Sequence, residues 1–259
     1  MAGSELLAST RPDFSLLPGG WEPSSVPALT GNPDIQGYGF VHGLILRNVL
    51  EAQDCAALIQ FMESSPNFEP VSVQGFKDTV DTGIGSMRTT VWSAELAQQL
   101  WQRIGPHLMT QYMNPYTPTD WWQGDPGRQV WKPIAISPLL RFMRYKRGGE
   151  HYSHYDAGFI YPDDRYRTLK SVVIYLTDSE GSGATRFIKD QQDDIPIWDR
   201  QHNDWLRQAQ PEEVLYRSVP EAGKVLVFDH RRCHDVEPYT GSMPRVIIRA
   251  DVVYEAVCE

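Results

Sequence analysis

Two histidines, one aspartate and one arginine stand at spacings that suit a metal centre with an anion bound beside it. His154 and Asp156 are two residues apart, and side chains two apart on an extended segment point the same way. His234 follows eighty residues after His154 and supplies a second imidazole. Two imidazoles and one carboxylate on one face of a metal leave the other face open, an arrangement typical of non-heme Fe(II) oxygenases. Arg245, eleven residues after His234, could hold a carboxylate of an organic-acid co-substrate through its planar fork.

An HxD pair alone is weak evidence, but here it is one of four motifs that follow in order over residues 139–254. The motifs are RYKRGG at 144–149 ahead of HYD at 154–156, IYL at 174–176 ahead of GSGATRF at 181–187, GKVLVF at 223–228 ahead of HDVEP at 234–238, and RVIIRADV at 245–252. This series resembles the prolyl-4-hydroxylase-like catalytic domain of the Fe(II)/2-oxoglutarate-dependent dioxygenase superfamily. Ser182 and Ala184 depart from that family's GGxTxF turn.

The resemblance implies a set of cofactors and a role for each motif residue. The cofactor is Fe(II), and 2-oxoglutarate and O2 are co-substrates that yield succinate and CO2. The implied Fe(II) ligands, which are also the catalytic residues, are His154, Asp156 and His234. The implied co-substrate residues are Arg245, at the C5 carboxylate of 2-oxoglutarate, and Tyr145, Tyr175 and Arg249. Arg249 shares the side-chain direction of Arg245 and could serve the co-substrate or the substrate.

Other polar residues near these motifs have plainer interpretations. Tyr145 and Tyr175 lie on apolar strands and could be core aromatics with a satisfied hydroxyl. His151 is an odd number of residues from His154, so a regular strand would point it away from the metal. His230 is expected to lie behind the ligands or to be exposed. Cys233 adjoins His234 and should face the opposite side of its strand.

Hydrophobic periodicity predicts a mainly β protein with flanking helices. A helical stripe runs from Leu50 to Met62, and a second begins at the possible N-cap Ser93 and ends near Gly105 and Pro106. Short strands are predicted at 39–46, 139–145, 171–176, 224–228 and 245–254. Two helices packed on one side of several short strands favour a double-stranded β-helix, a jelly-roll or cupin-like core.

The chain is predicted to form one domain over residues 37–259, preceded by a flexible segment at 1–36 that is rich in Pro, Gly and Ser. Residues 189–220 interrupt the strand pattern with acidic residues and two tryptophans, and we predict a lid there. Substrate choice should depend on this lid and on the loops at 67–90 and 114–133. The loop at 114–133 contains three tryptophans, which could form an aromatic substrate wall or pack into the core.

Composition narrows the function classes. A net charge of −9 and a pI near 5.3 argue against a nucleic-acid partner. No apolar stretch reaches the length of a membrane span, and no secretory signal or cysteine framework is evident, so a cytoplasmic protein is expected.

Several functions remain open at this point. The favoured one is a hydroxylase that acts on a small polar or amino-acid-like metabolite, with desaturation or ring closure as possible outcomes of the same chemistry. The alternative is a prolyl hydroxylase acting on a protein or peptide. A non-enzymatic metal-binding sensor is a weaker third, and the absence of an HExxH motif weighs against a zinc hydrolase. The oligomeric state stays open.

Overall fold

The structure, a computed structural model, describes residues 13, 17, 19–40, 43–71, 85–111, 130–162, 165–190, 192, 195 and 207–257. These residues form fourteen strands and two α-helices. In chain order they are β1 Gly20–Trp21, β2 Gln36–Phe40, β3 Gly43–Arg47, α1 Ala52–Glu63, β4 Glu69–Pro70, β5 Ser86–Trp92, α2 Ala94–Gln111, β6 Val130–Ile136, β7 Leu139–Tyr145, β8 His151–His154, β9 Tyr166–Tyr175, β10 Thr185–Ile188, β11 Val214–Ser218, β12 Val225–Asp229, β13 His234–Val236 and β14 Arg245–Val257.

The strands make two sheets. The large sheet has ten strands and runs β1-β5-β7-β14-β9-β12-β3-β2, with β4 on β5 and β6 on β14. The small sheet has four strands in the order β11-β10-β13-β8. Its strands come from between those of the large sheet in the sequence, as expected for a chain that winds between two facing sheets. The prediction of a double-stranded β-helix with flanking helices is confirmed.

Successive side chains along the central strands point to opposite faces of the large sheet and so form two separate apolar layers. On β7, Leu140 and Phe142 face the layer that also contains the buried stripes of both helices. Met143 and Tyr145 face the other layer, which includes Phe187 from the small sheet. The space between the sheets is therefore lined by the second set of side chains, and the outer face of the large sheet is covered by the helices.

Helix α2 runs further than its sequence predicted. Ser93 begins it as expected, because its Oγ accepts a hydrogen bond of 3.1 Å from the backbone N–H of Leu96. The helix does not end at Gly105 and Pro106 but continues to Gln111. The fully buried stripe extends past the proline to Leu108, and we attribute the continuation to this packing, which outweighs the hydrogen bond that a proline removes.

Within the segment predicted to be flexible over 1–36, residues 19–36 lie against the two helices. Gln99 on α2 accepts a 2.6 Å hydrogen bond from the backbone N–H of Leu29. Arg103 donates a 2.9 Å hydrogen bond to the carbonyl oxygen of Gly31 and a 2.7 Å hydrogen bond to the carboxylate of the buried Asp54 on α1. Polar side chains of the two helices thus hold this segment along the domain.

The structure adds detail to one predicted strand and to the segment predicted as a lid. The strand predicted at 39–46 is a hairpin of β2 and β3, paired from Gln36 with Arg47 to Phe40 with Gly43. The end of the segment predicted as a lid contains β11, which pairs with β10 and completes the small sheet. Residues 207–218 are therefore scaffold, whereas 196–206 lie outside the described residues.

Gly223 offers a test of the fold, because its φ of +82° is left-handed and an added Cβ would meet the carbonyl oxygen of Leu50. We expect Gly223→Ala to destabilise the protein by about 3 kcal/mol or more, since it adds a backbone clash to left-handed strain. Gly181 is the matched control, because it has φ +83° with nothing within 4 Å of an added Cβ. Gly181→Ala should cost about 1 kcal/mol, as left-handed strain alone does. Equal losses in urea denaturation would show that the predicted clash is relieved.

Candidate active site

The small sheet brings the two predicted histidine ligands together. His154 ends β8 and His234 begins β13, and the two residues are direct cross-strand partners. Their ring centroids lie 4.3 Å apart. Asp156 follows β8 directly, and one ligand atom from each of the three side chains lies within 4.8 Å of the others.

Backbone carbonyls determine which ring nitrogen of each histidine faces this cluster. Nδ1 of His154 lies 2.7 Å from the carbonyl oxygen of Tyr152, and Nδ1 of His234 lies 2.8 Å from that of Arg232. A carbonyl only accepts, so each Nδ1 carries a proton and each Nε2 is the nitrogen that faces the cluster. The Nε2 atoms lie 3.9 Å and 3.7 Å from the two carboxylate oxygens of Asp156.

Asp156 is held in place from both sides. Ser171 on β9 donates a 2.5 Å hydrogen bond to Oδ2, and Arg249 on β14 lies 3.2 Å from Oδ1. Nδ1 of His230, 2.8 Å from the Ser171 oxygen, must then be the donor to it. Burial alone would raise the pKa of Asp156, but the charge of Arg249 holds it well below its usual range. The carboxylate is therefore charged and has little rotational freedom.

His154 is in the protonation state that a metal requires. Burial, followed by repulsion from His234 and His151, lowers the pKa of His154 well below its usual value. A neutral imidazole is the form that binds metal.

His151 does not point away from the site as its spacing predicted. His151 and His154 are three positions apart, whereas their partners on β13, Val236 and His234, are only two positions apart. The register shift places an extra residue on β8, and such a bulge turns the following side chains to the other face. As a result, the rings of His151 and His154 lie 4.3 Å apart, and both line the cavity.

His230 lies behind the cluster, since it is 1% exposed. Cys233 packs against Ile188 and Ala209, away from the three ligand atoms, as predicted for the residue beside His234.

Arg245 is fully buried, and none of its three guanidinium nitrogens has a hydrogen-bond partner among the described residues. Its Cζ lies 4.5 Å from the ring centroid of Tyr145 and 5.7 Å from that of Tyr175. Gly183 allows this packing, because an added Cβ would lie 3.0 Å from the Arg245 Cδ. Burying a charged group without a partner is costly, so this arrangement calls for an anion that is not part of the described chain.

The two tyrosines differ in how their hydroxyl groups are used. Tyr175 donates a 2.8 Å hydrogen bond to Thr185, and the Tyr145 hydroxyl points to the weakly accepting sulfur of Met143 at 3.9 Å. Burial raises the pKa of both phenols despite the opposing charge of Arg245. Both therefore keep their protons, and Tyr145 has a donor to offer to a ligand.

A cavity of about 350 Å³ opens over these residues between the two sheets. Its apolar lining consists of Val71, Met143, Ala157, Val173, Val236 and Ile247. Three arginines also line it, namely Arg88, Arg141 and Arg249. The apolar walls favour the exclusion of water, and the arginines give one side of the cavity a positive charge.

Sequence reasoning missed several residues of the site. Ser171, Asp251, Arg88 and Arg141 come from strands far apart in the chain. Alternation with Tyr145 could have placed Arg141 on the inner face of β7, because the two are an even number of residues apart. Trp131, from the tryptophan-rich loop, is fully buried in the core on β6, and the other two tryptophans lie outside the described residues.

The buried His230 should make the metal-free protein less stable in acid. Burial, partly offset by Asp251, lowers its pKa to about 4, whereas an unfolded histidine titrates near 6.5. Between these values the unfolded chain binds more protons, so stability falls as the pH falls through this window. The contribution should be about 2 kcal/mol between pH 7.5 and pH 5. Urea denaturation at both pH values should show this loss, and His230→Asn should show correspondingly less of it. An equal loss in both proteins would contradict the assignment.

Comparison with known proteins bears on this site. Residues 140–250 match the family model of the 2OG-Fe(II) oxygenase superfamily. Similar solved structures include a viral collagen prolyl hydroxylase from Paramecium Bursaria Chlorella virus-1 in complex with 2OG, with 15% identity, a TM-score of 0.46, and coverage of 82% of this chain and 94% of that one. A prolyl-4-hydroxylase from Pseudomonas putida has 15% identity, a TM-score of 0.46, and coverage of 82% and 92%. HygX from Streptomyces hygroscopicus, solved with nickel and 2-oxoglutarate, has 13% identity, a TM-score of 0.47, and coverage of 83% of each chain. No curated protein sequence matches this chain.

Proposed function

We propose that this chain, whose residues 140–250 match the family model of the 2OG-Fe(II) oxygenase superfamily, hydroxylates an unactivated C–H bond of a small polar or amino-acid-like metabolite. It is a dioxygenase whose cofactors are Fe(II) and 2-oxoglutarate. The observation that carries the proposal is the buried Arg245, whose guanidinium has no hydrogen-bond partner among the described residues and which lies on the same inner face as a cluster of two imidazoles and one carboxylate.

The donor set fits Fe(II). Two Nε2 lone pairs from His154 and His234 and one carboxylate oxygen from Asp156 make the combination of ligands that suits this ion, and they leave the opposite coordination positions free. We propose these three side chains as the ligands. When bound, iron and 2-oxoglutarate supply an oxidant that places one atom of O2 on the substrate as succinate and CO2 are released. Two backbone carbonyls orient the histidine rings, and Ser171 and Arg249 hold the carboxylate of Asp156. Such contacts fix the geometry of metal ligands.

Arg245 and Tyr145 are proposed to hold the co-substrate. A guanidinium pairs with a carboxylate through two parallel hydrogen bonds, and here that pair would be free of competing water. The protonated Tyr145 hydroxyl would donate a further bond. Tyr175 is already bonded to Thr185, so it supports the Arg245 side chain by packing. Arg249, bound to Asp156, acts as a positioning residue for the metal ligand.

The size of the cavity favours a small substrate. Its volume of about 350 Å³ lies near the lower end of the range for small-molecule sites and must also accommodate the co-substrate. A peptide would need a groove that continues beyond these walls. A peptidyl proline is therefore the competing substrate class, and the experiment below includes it.

The test is succinate release by the Fe(II)-loaded protein with 2-oxoglutarate and a panel of candidate substrates. The panel contains the free amino acids, small polar metabolites and proline-containing peptides. We expect a free amino acid or metabolite to stimulate succinate release at least tenfold, with a product 16 mass units heavier for one added oxygen atom. Stimulation by peptides alone would reverse the substrate assignment, and failure to consume 2-oxoglutarate at all would contradict the hydroxylase.

A further inference from the structure

Three arginines form a row across three neighbouring strands of the large sheet. Arg141 on β7 pairs directly with Arg249 on β14, and Arg88 on β5 pairs with Met143, which is two residues from Arg141 on the same face. All three side chains line the cavity that also contains the proposed metal ligands. The row therefore faces the same space as the reacting centre.

The row has more positive charge than its neighbours neutralise. Asp251 lies 3.1 Å from Arg141 and 3.1 Å from Arg249, and Asp156 lies 3.2 Å from Arg249. Two carboxylates thus serve two of the arginines. Arg88 has no ion-pair partner within 4.0 Å among the described residues, and its buried Nε has no hydrogen-bond partner there.

The environment of Arg88 supports the same conclusion. Burial, followed by repulsion from Arg141 and Arg249, lowers its pKa. Glu69, its partner in register on β4, attracts it only weakly because that carboxylate is exposed.

Binding of the cofactors leaves the charge excess in place. Fe(II) and doubly charged 2-oxoglutarate cancel, as do Asp156 and Arg245. Among the described residues of this row and its ion pairs, Asp251 then remains against the three arginines, an excess of two positive charges. Such an excess favours an anionic ligand.

We propose that Arg88 and Arg141 form a subsite for an anionic group, a carboxylate or a phosphate, on the substrate of the hydroxylase. This inference rests on the proposed function, because it places the anion in the cavity of that same centre. It narrows the substrate to metabolites that have a free acidic group. It also counts against the interior of a peptide, whose backbone offers no such group.

The experiment uses the Fe(II)-loaded protein, without oxygen and with saturating 2-oxoglutarate, so that the iron and Arg245 are already occupied. Calorimetric titrations compare the free amino acids with their carboxamides, which differ only in the acidic group, and sugar phosphates with the parent sugars. We expect at least one acid to bind at least tenfold more tightly than its neutral partner. Arg88→Gln should abolish that preference, and Arg88→Lys, which keeps the charge, should retain part of it.

The control is Arg47→Gln, which removes the same charge from an exposed arginine on β3. It should keep the full preference, because a surface charge is screened by solvent. If amino acids bind more tightly than their carboxamides, the subsite binds a carboxylate. If sugar phosphates bind more tightly than the parent sugars, it binds a phosphate. Equal binding of neutral partners, binding of no acidic member, or a preference that survives in Arg88→Gln would overturn the subsite. The visible band of the iron–2-oxoglutarate complex is recorded first, so a failure of the hydroxylase itself is seen separately.

Discussion

Asp156→Ala is expected to lose more than about 100-fold in succinate formation, because disturbing the residues behind a metal ligand already costs 10–100-fold. His234→Ala should behave in the same way, since it removes one of the two Nε2 donors. In both variants the expected defect is weaker Fe(II) binding, measured by equilibrium dialysis under anaerobic conditions. Circular dichroism should change little, because each side chain lies at the cavity surface rather than in an apolar layer.

His151 supplies the control for this prediction. Its ring is as close to His154 as the ring of His234 is, with both centroid distances at 4.3 Å, yet it is not one of the three clustered donors. His151→Asn should keep Fe(II) affinity within about tenfold, less than the 10–100-fold cost of losing a residue that orients a ligand, because His154 is oriented by the Tyr152 carbonyl and not by His151. A loss as large as that of His234→Ala would mean that the wrong pair of histidines has been assigned.

Arg245→Met is expected to weaken 2-oxoglutarate binding by at least about 30-fold, since truncating one partner of a buried charge pair costs 2 kcal/mol or more. Its second expected effect separates binding from folding. Without the co-substrate the guanidinium is buried and has no hydrogen-bond partner among the described residues, so an apolar side chain of similar length should leave the free energy of unfolding unchanged or higher. Calorimetric titration of the Fe(II) protein and urea denaturation of the metal-free protein measure the two effects.

Arg245→Lys keeps the charge but loses the two-pronged geometry, and should fall between the wild type and Arg245→Met. If Arg245→Met bound 2-oxoglutarate normally, the carboxylate would have to be held elsewhere. Arg88 would then be the alternative, because it is the arginine of the cavity row that lacks an ion-pair partner among the described residues.

The sequence was most informative where a residue's role depends on local spacing. His154 and Asp156 are two apart, and His234 and Arg245 follow in motifs whose order is recognisable, so the amino-acid sequence alone was enough to select these four. The double-stranded β-helix followed from the same motifs and from short alternating strands. Their proposed roles as ligands and co-substrate partner remain to be measured.

Other features depend on contacts between distant segments, which spacing does not reveal. Ser171 supports Asp156 only because β9 passes behind it, and Arg88 joins Arg141 only because β5 pairs with β7. A single extra residue on β8 reversed the predicted direction of His151. In α2, a buried stripe outweighed the local helix-breaking tendency of a proline.

The most direct test of the central claim is anaerobic titration of the Fe(II)-loaded protein with 2-oxoglutarate, followed by visible absorption. Chelation of iron by the co-substrate should give a weak charge-transfer band that saturates at one equivalent, and Asp156→Ala should not develop it. Saturation would establish the metal and co-substrate together at this site. Iron that binds without any band on addition of 2-oxoglutarate would contradict the account.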